Sequence, residues 1–576
     1  MKSFDRRMIG TIGHLFYAVS FENMKKLASL LFIFTVSLLP LRAQHHLHGA
    51  EGGDADAALE KFGAVHMPIS CSPSVQAPFE RDIALIHSFW YEEAQKQFQA
   101  VTAADPTCAM AQWALAMTEW RPFWDGMPDA RRKAGIVEID KATALSPKTD
   151  RERRYIADLS GYLHADSAQN QHALRTYVEG MGALHLAYPD DVEATAFYGL
   201  ALAADVGRED PVGDAHKALA VLEPAFKAHP DHPGLAHYII HTCDTPQLAR
   251  EALPAAEQYA SIAPSSAHAL HMPSHIFARL GMWQQDIDSN EASMRASELA
   301  EKNSQSGVTH EIHAAAFLLY AYLQEADDAN AKRILDNTGP MTAHLHSIPN
   351  IANDGMAPFI TYVEVELPGI YELEMNHWDA ALRIPEPQNS IASARYMRAW
   401  IGAIAAGHLR DSQAADRAFR AAQQLADETA KEGSPIGLEI AVTQSSIKAW
   451  RSFAHNEDAQ ALKEISAAAD LQDRVGQAEV DIPAREMYAD MLLADNHPAE
   501  AFAQYKVALK LSPNRLNALY NAGRAADQAG MPHEAIAYYQ QLIHVTNGGV
   551  QSQRFQVVNA LNIVQVSQTN SPPRQK

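Results

Sequence analysis

Two stretches near the C-terminus, PAEAFAQYKVALKLSPN (498–514) and PHEAIAYYQQLIHVTN (532–547), superpose at an offset of 34 residues, with Ala501 on Ala535, Tyr505 on Tyr539 and Ala508 on Leu542. Residues four and then three positions apart share one face of a helix. A helical hairpin of this length cannot bury its apolar face alone, so a chain with this period must stack its units into a one-dimensional array. Alanine-rich windows favour the arrangement, because alanine has the best helix propensity and lets helices approach closely. No stretch shows sustained alternation between hairpin turns, so the expected class is all-α.

With Pro513 closing the first unit and Tyr520 and Gly523 supplying parts of the front half of the next, the pattern resembles the tetratricopeptide repeat (TPR) superfamily. Weaker copies run upstream at Ala94/Phe98/Pro106, Ala173/Tyr177/Pro189, Ala218/Leu222/Pro230 and Ala252/Ala256/Pro264. The resemblance implies a TPR-like α-solenoid, a superhelix of stacked helical hairpins in two arrays, whose concave groove binds a protein or peptide partner.

The expected organisation is a targeting segment (1–43), a His-, Gly- and Asp-bearing flexible leader (44–64) and a first array (65–336). An irregular connecting segment with partial helices (337–390), a second array (391–565) and a disordered tail (566–576) follow. From Met24 the chain reads MKKLASLLFIFTVSLLPLRA: two lysines, an apolar stretch too short to span a bilayer, and Ala43 at a cleavage position. This predicts an exported, periplasmic or secreted protein of bacterial type, started at residue 24, with no membrane span and a partner in the cell envelope. Asp and Glu number 69 against 47 Lys and Arg, a net charge of −22. That balance argues against nucleic acid, whose binding needs clustered cations.

Two histidine pairs repeat at the same 34-residue offset: His237/His241 and His271/His275. Spacing of i,i+4 places both rings of a pair on one helix face. If Pro230 and Pro264 close their units, the front helices begin near Pro233 and Ala267, and both pairs line the concave surface. His268 and Asp244 share that face, and His310 and His313 open the next front helix more weakly. Neutral imidazoles at this spacing can clasp Zn or Cu. The competing readings are contacts to a bound peptide and packing alone. Pro273 lies between His271 and His275 and puts their helical spacing in question. A second chelate is possible at Gln44-His45-His46, where a free amine and a histidine at the third residue suit Cu(II) or Ni(II).

Catalytic signatures are weak. The HEIH stretch at 310–313 has histidines at i,i+3, whereas the zincin motif needs i,i+4, and there is no phosphate loop, GxSxG elbow or CxxC pair. The enzymatic alternative is a metal-dependent hydrolase or oxidase using the same histidines, with Asp244 or Glu311 as general base. Cys71 and Cys108 flank the first expected hairpin, whose ends lie together, so they are candidates for a disulfide in an oxidising compartment, the alternative being two buried thiols. Cys243 reads as a buried inert thiol. Trp90, Trp113, Trp120 and Trp124 read mainly as inter-helix packing.

Overall fold

The computed structural model describes residues 60–569 apart from 124–126, 208, 306–308, 350, 352–356, 388–389, 433–439 and 550–551. The targeting segment, His45 and His46, Trp124 and residues 570–576 lie outside the described residues. Helices are α1 Gln76–His87, α2 Tyr91–Ala104, α3 Ala109–Met117, α4 Asp129–Ala144, α5 Asp150–His164, α6 Asn170–Ala187, α7 Val192–Ala204, α8 Pro211–Ala228 and α9 Pro233–Thr242. Next come α10 Ala249–Ile262, α11 Ala267–His271, α12 Pro273–Arg279, α13 Trp283–Lys302, α14 His310–Gln324, α15 Asp328–Ser347, α16 Ala357–Glu374 and α17 Trp378–Leu382. The chain continues through α18 Ala392–Leu409, α19 Ser412–Glu432, α20 Ile440–Ala454, α21 Asp458–Val475, α22 Ala484–Ala494, α23 Pro498–Leu511, α24 Leu516–Gln528, α25 Pro532–Val545 and α26 Phe555–Thr569. No strand occurs among the described residues. The architecture is an all-α, TPR-like solenoid of helical hairpins.

The repeat positions are the core positions. Ala501, Tyr505 and Ala508 of α23 and Ala535, Tyr539 and Leu542 of α25 are all buried, as are Ala94, Phe98, Ala173, Tyr177, Ala218, Leu222, Ala252 and Ala256 upstream. Each large apolar side chain so buried contributes about 1.5–3 kcal/mol. Gly523 is small because α25 crosses against it: a Cβ there would meet the Tyr539 ring at 2.6 Å. The front helices start as the prolines predict, at Pro233 and Ala267. Pro233 occupies the first turn of α9, where its missing N–H costs nothing, and His232 and Ser266 cap α9 and α11 with side-chain acceptors. Cys71 and Cys108 are joined in a disulfide with Cα atoms 5.0 Å apart, tying the entry of the first hairpin to its exit.

Three boundaries differ from the sequence reading. The leader is not free through residue 64: Phe62 is buried against Trp90, the Ala64 amide donates to the Asp231 carbonyl at 2.9 Å, and Lys61 is held by Ser265 and Ser261. The expected irregular stretch is helical where α15 runs on through Gly339 and Pro340; Pro340 faces solvent, where water can satisfy the freed carbonyl. The C-terminal tail is helical as far as Thr569.

The residues from Glu60 onward form one compact unit, because the C-terminal hairpins return to the middle of the chain. Trp283 donates through Nε1 to the Asn514 carbonyl at 2.9 Å, and Asn514 donates back to the Gly281 carbonyl at 3.0 Å. Gly281 has φ +63, and a Cβ there would lie 2.3 Å from the Pro513 carbonyl oxygen, so this crossing requires glycine. Buried Arg515 bridges Glu486 at 2.6 Å and Glu374 at 2.8 Å and also donates to the Tyr320 hydroxyl.

Candidate metal centre

Seven histidines from four helices converge in the interior. α9 supplies His237 and His241, α11 supplies His268 and His271, α12 supplies His275, and α14 supplies His310 and His313. The Pro273 discontinuity leaves the second pair intact. Met272 keeps right-handed helical torsions (φ −52, ψ −35), so the helical path carries across the proline, and His271 and His275 still meet.

Six of the seven fall into two trios. His237, His241 and His268 have ring nitrogens within 4.8 Å of one another, and so do His271, His275 and His313. The trios adjoin, with ring centroids of His268 and His271 6.1 Å apart and those of His241 and His275 6.4 Å apart. His310 belongs to neither; its ring lies 4.9 Å from His268, on the side of Glu92. The centre is closed rather than an open groove. His237, His268, His271, His275 and His310 are buried, and only His241 and His313 are half-buried. Phe89 and Phe123 stack on His241, while Phe317 and Phe359 cover His313.

Hydrogen bonds fix the ring tautomers. His237 Nδ1 lies 2.6 Å from the His87 carbonyl, which can only accept, so the proton is on Nδ1 and the lone pair on Nε2; that buried Nε2 has no hydrogen-bond partner among the described residues. Asn290 gives its amide N–H groups to the Asp286 carboxyl at 2.6 Å and backbone carbonyl at 3.0 Å, which turns its oxygen to His271 Nδ1 at 2.6 Å. His275 Nδ1 donates to Asp244 at 2.7 Å and faces Glu479 at 3.2 Å. The Nε2 atoms of His271 and His275 therefore point at each other, 2.9 Å apart, and share a hydrogen bond. Two lone pairs at that distance repel unless a cation lies between them, either a proton or a metal ion.

Electrostatics follow from burial. Burial, helped by neighbouring histidines, lowers His237, His268 and His271 well below the usual imidazole range and brings His241 and His313 to about 3, while burial against the pull of Glu92 leaves His310 at about 4. These rings are neutral near pH 7, the form that binds metal. His275 is opposite: burial would lower it, but the Asp244 and Glu479 carboxylates prevail and push it up to about 10. Burial would also raise Asp244, yet His275 and Arg279 hold it well below the carboxylate range.

Asp244, expected among the ligands, sits behind His275 and is shared with Arg279 at 3.0 Å. It orients the His275 ring, the place carboxylates commonly take beside metal-bound histidine. Glu311 has Glu301, Glu298 and His344 as its charged neighbours and lies apart from the centre. A further buried group, His87, Glu193 and His232, has every ring nitrogen engaged: His87 with Tyr238 and Glu193, His232 with Glu193 and the Leu235 amide. It is a satisfied polar network that holds the His87 carbonyl against His237. Asn290, Glu479 and the His87 carbonyl were not foreseen from the sequence. Asn290 lies on the α13 face that packs on α11, but nothing local marks Glu479, 204 residues from His275.

No protein-family profile matches the chain, and no curated protein matches it. Solved structures that it resembles include the TPR domain of P58(IPK), at 14% identity over 86% of this chain and 99% of that one, with a TM-score of 0.19. Another is a human IFIT1 dimer with m7Gppp-AAAA, at 12% identity over 76% and 90% of the two chains, with a TM-score of 0.34. No activity is inferred from likenesses of this size. The helix pairs and their buried 34-residue register establish what the chain is by fold, a TPR-like α-solenoid with two adjoining histidine trios inside it.

Proposed function

We propose that this protein binds transition-metal ions, copper or zinc, in the two histidine trios. The observation that carries the reading is the meeting of the Nε2 atoms of His271 and His275 at 2.9 Å while both Nδ1 atoms are engaged elsewhere, so that loss of the one proton between them leaves two lone pairs facing a single ion position. Two ligands on one tetrahedral ion, with bonds of about 2.0–2.1 Å, are about 3.3 Å apart, so a small opening of this pair seats the ion. Nε2 of His237, without a hydrogen-bond partner among the described residues, and the neutral state of His241 and His268 support the same reading. Loading His275 requires release of its proton, so uptake liberates acid.

Export through the Met24 segment would place the protein where copper and zinc are acquired, and the TPR-like frame remains suited to a protein or peptide partner on its outer surfaces. The closed surroundings of the trios favour an ion over a peptide as the occupant of this centre. Elemental analysis of the native protein beside a His237→Ala/His241→Ala double variant tests the reading. Metal present in the native chain and diminished in the variant is the expected result. Metal-free native protein that takes up neither ion when reconstituted overturns it.

A further inference from the structure

We propose that the two trios work as one two-copper centre whose reduced ions together reduce dioxygen by two electrons; this rests on the metal-binding reading above. The first support is geometric. One nearly continuous helix, α11–α12, gives His268 to the first trio and His271 and His275 to the second, so the two sites cannot be occupied independently of each other's backbone. Each trio offers three ligands, leaving a coordination position open on each ion.

The second support is the donor set. Both trios are all-imidazole, whereas open iron sites characteristically include a carboxylate among their ligands. The nearby carboxylates, Asp244 and Glu479, are committed to His275 Nδ1 and to Arg279. The first trio is enclosed by Phe89, whose ring is 4.3 Å from His237, by Phe123, stacked on His241 at 4.5 Å, and by Tyr259, 5.2 Å from His237. In such surroundings buried charge is costly, which favours a monovalent ion over a divalent one, and Cu(I) is the monovalent ion that three imidazoles hold.

The third support is access. The two half-buried residues, His241 and His313, come one from each trio, so neither site is lined only by fully buried histidines. In the reaction each Cu(I) gives up one electron and becomes Cu(II), and the O=O bond order falls to one. The resulting peroxide dianion lies between the two ions and leaves as hydrogen peroxide on taking two protons from water.

The test uses the full chain loaded without oxygen with two equivalents of Cu(I), then exposed to dioxygen. We expect two copper ions and one dioxygen consumed per chain, with an electron paramagnetic resonance signal far below two spins because adjacent Cu(II) ions couple. His313→Asn, checked for retained helicity, should keep one copper, lose the one-per-chain oxygen uptake, and give a full one-spin Cu(II) signal once that copper is oxidised with ferricyanide. Two ions with a two-spin signal, two ions without oxygen uptake, or a single ion per native chain each overturn the proposal while leaving metal binding standing. Failure to take up copper or zinc at all overturns both.

Discussion

The side-chain oxygen of Asn290 lies 2.6 Å from Nδ1 of His271, and that contact decides which nitrogen of the ring faces the second trio. Replacing Asn290 with Leu removes the acceptor while roughly keeping volume. Metal affinity should fall about 10- to 100-fold, as for other partners of ligating histidines. Competition against a chromogenic chelator measures the change, with helicity followed in parallel.

Asp244 ties His275 to Arg279 in a nearly buried network. Asp244→Ala strips one carboxylate from two cationic groups, a type of loss that costs about 3–5 kcal/mol when the network is buried. Glu479 still faces both groups at 3.0–3.2 Å, so the cost should sit at the low end. Urea unfolding of the metal-free protein reads the difference, and a change under about 0.5 kcal/mol, the scale of an ordinary surface substitution, would show that Glu479 alone suffices.

The Cys71–Cys108 bond closes a loop with a sequence separation of 37 residues. In the chain-entropy description this contributes about 3–4 kcal/mol. A Cys71→Ala/Cys108→Ala chain should unfold at lower denaturant by that margin, and the native protein should shift equally on reduction. Cys243, buried and with its thiol pushed up by burial, should stay unreactive toward alkylating reagents until the protein unfolds.

Glu366 of α16 is buried beside Asp481, and burial followed by that neighbour pushes its carboxyl up to about 8. Its unfolded value is near 4.5, so between those limits the folded state holds the extra proton. The contribution is fully present below pH 4.5 and is lost as pH rises toward 8, at no more than about 1.4 kcal/mol per pH unit. Glu366→Gln should flatten this part of the stability profile and unfold later than the native protein at pH 8. Denaturant midpoints at pH 5 and pH 8 give the comparison.

Much of the fold was legible because the repeat is a local property. Ala501, Tyr505, Ala535 and Tyr539 follow helical spacing and are buried, and Pro230 and Pro264 located the starts of α9 and α11. The same register placed His237, His241, His268, His271 and His275 on one face. Proline was misleading in two places: solvent-facing Pro340 sits within α15, and buried Pro273 opens α12 without dispersing the histidines that flank it. Phe62 gave no periodic signal, since a single aromatic in a Gly- and Asp-bearing stretch does not disclose the pocket that receives it.

By itself the sequence determined that this chain is helical, that its hairpins repeat, and that its histidines recur at one phase of that repeat. Only the tertiary structure decided that seven rings divide into two trios with one left over, that Asp244 backs His275, and that Glu479 and Asn514 return to close the middle of the chain. The reason is physical. Phase along a helix is set by 3.6 residues per turn and can be counted, whereas the meeting of distant hairpins depends on small rotations summed over many packed units, which no single stretch of sequence records.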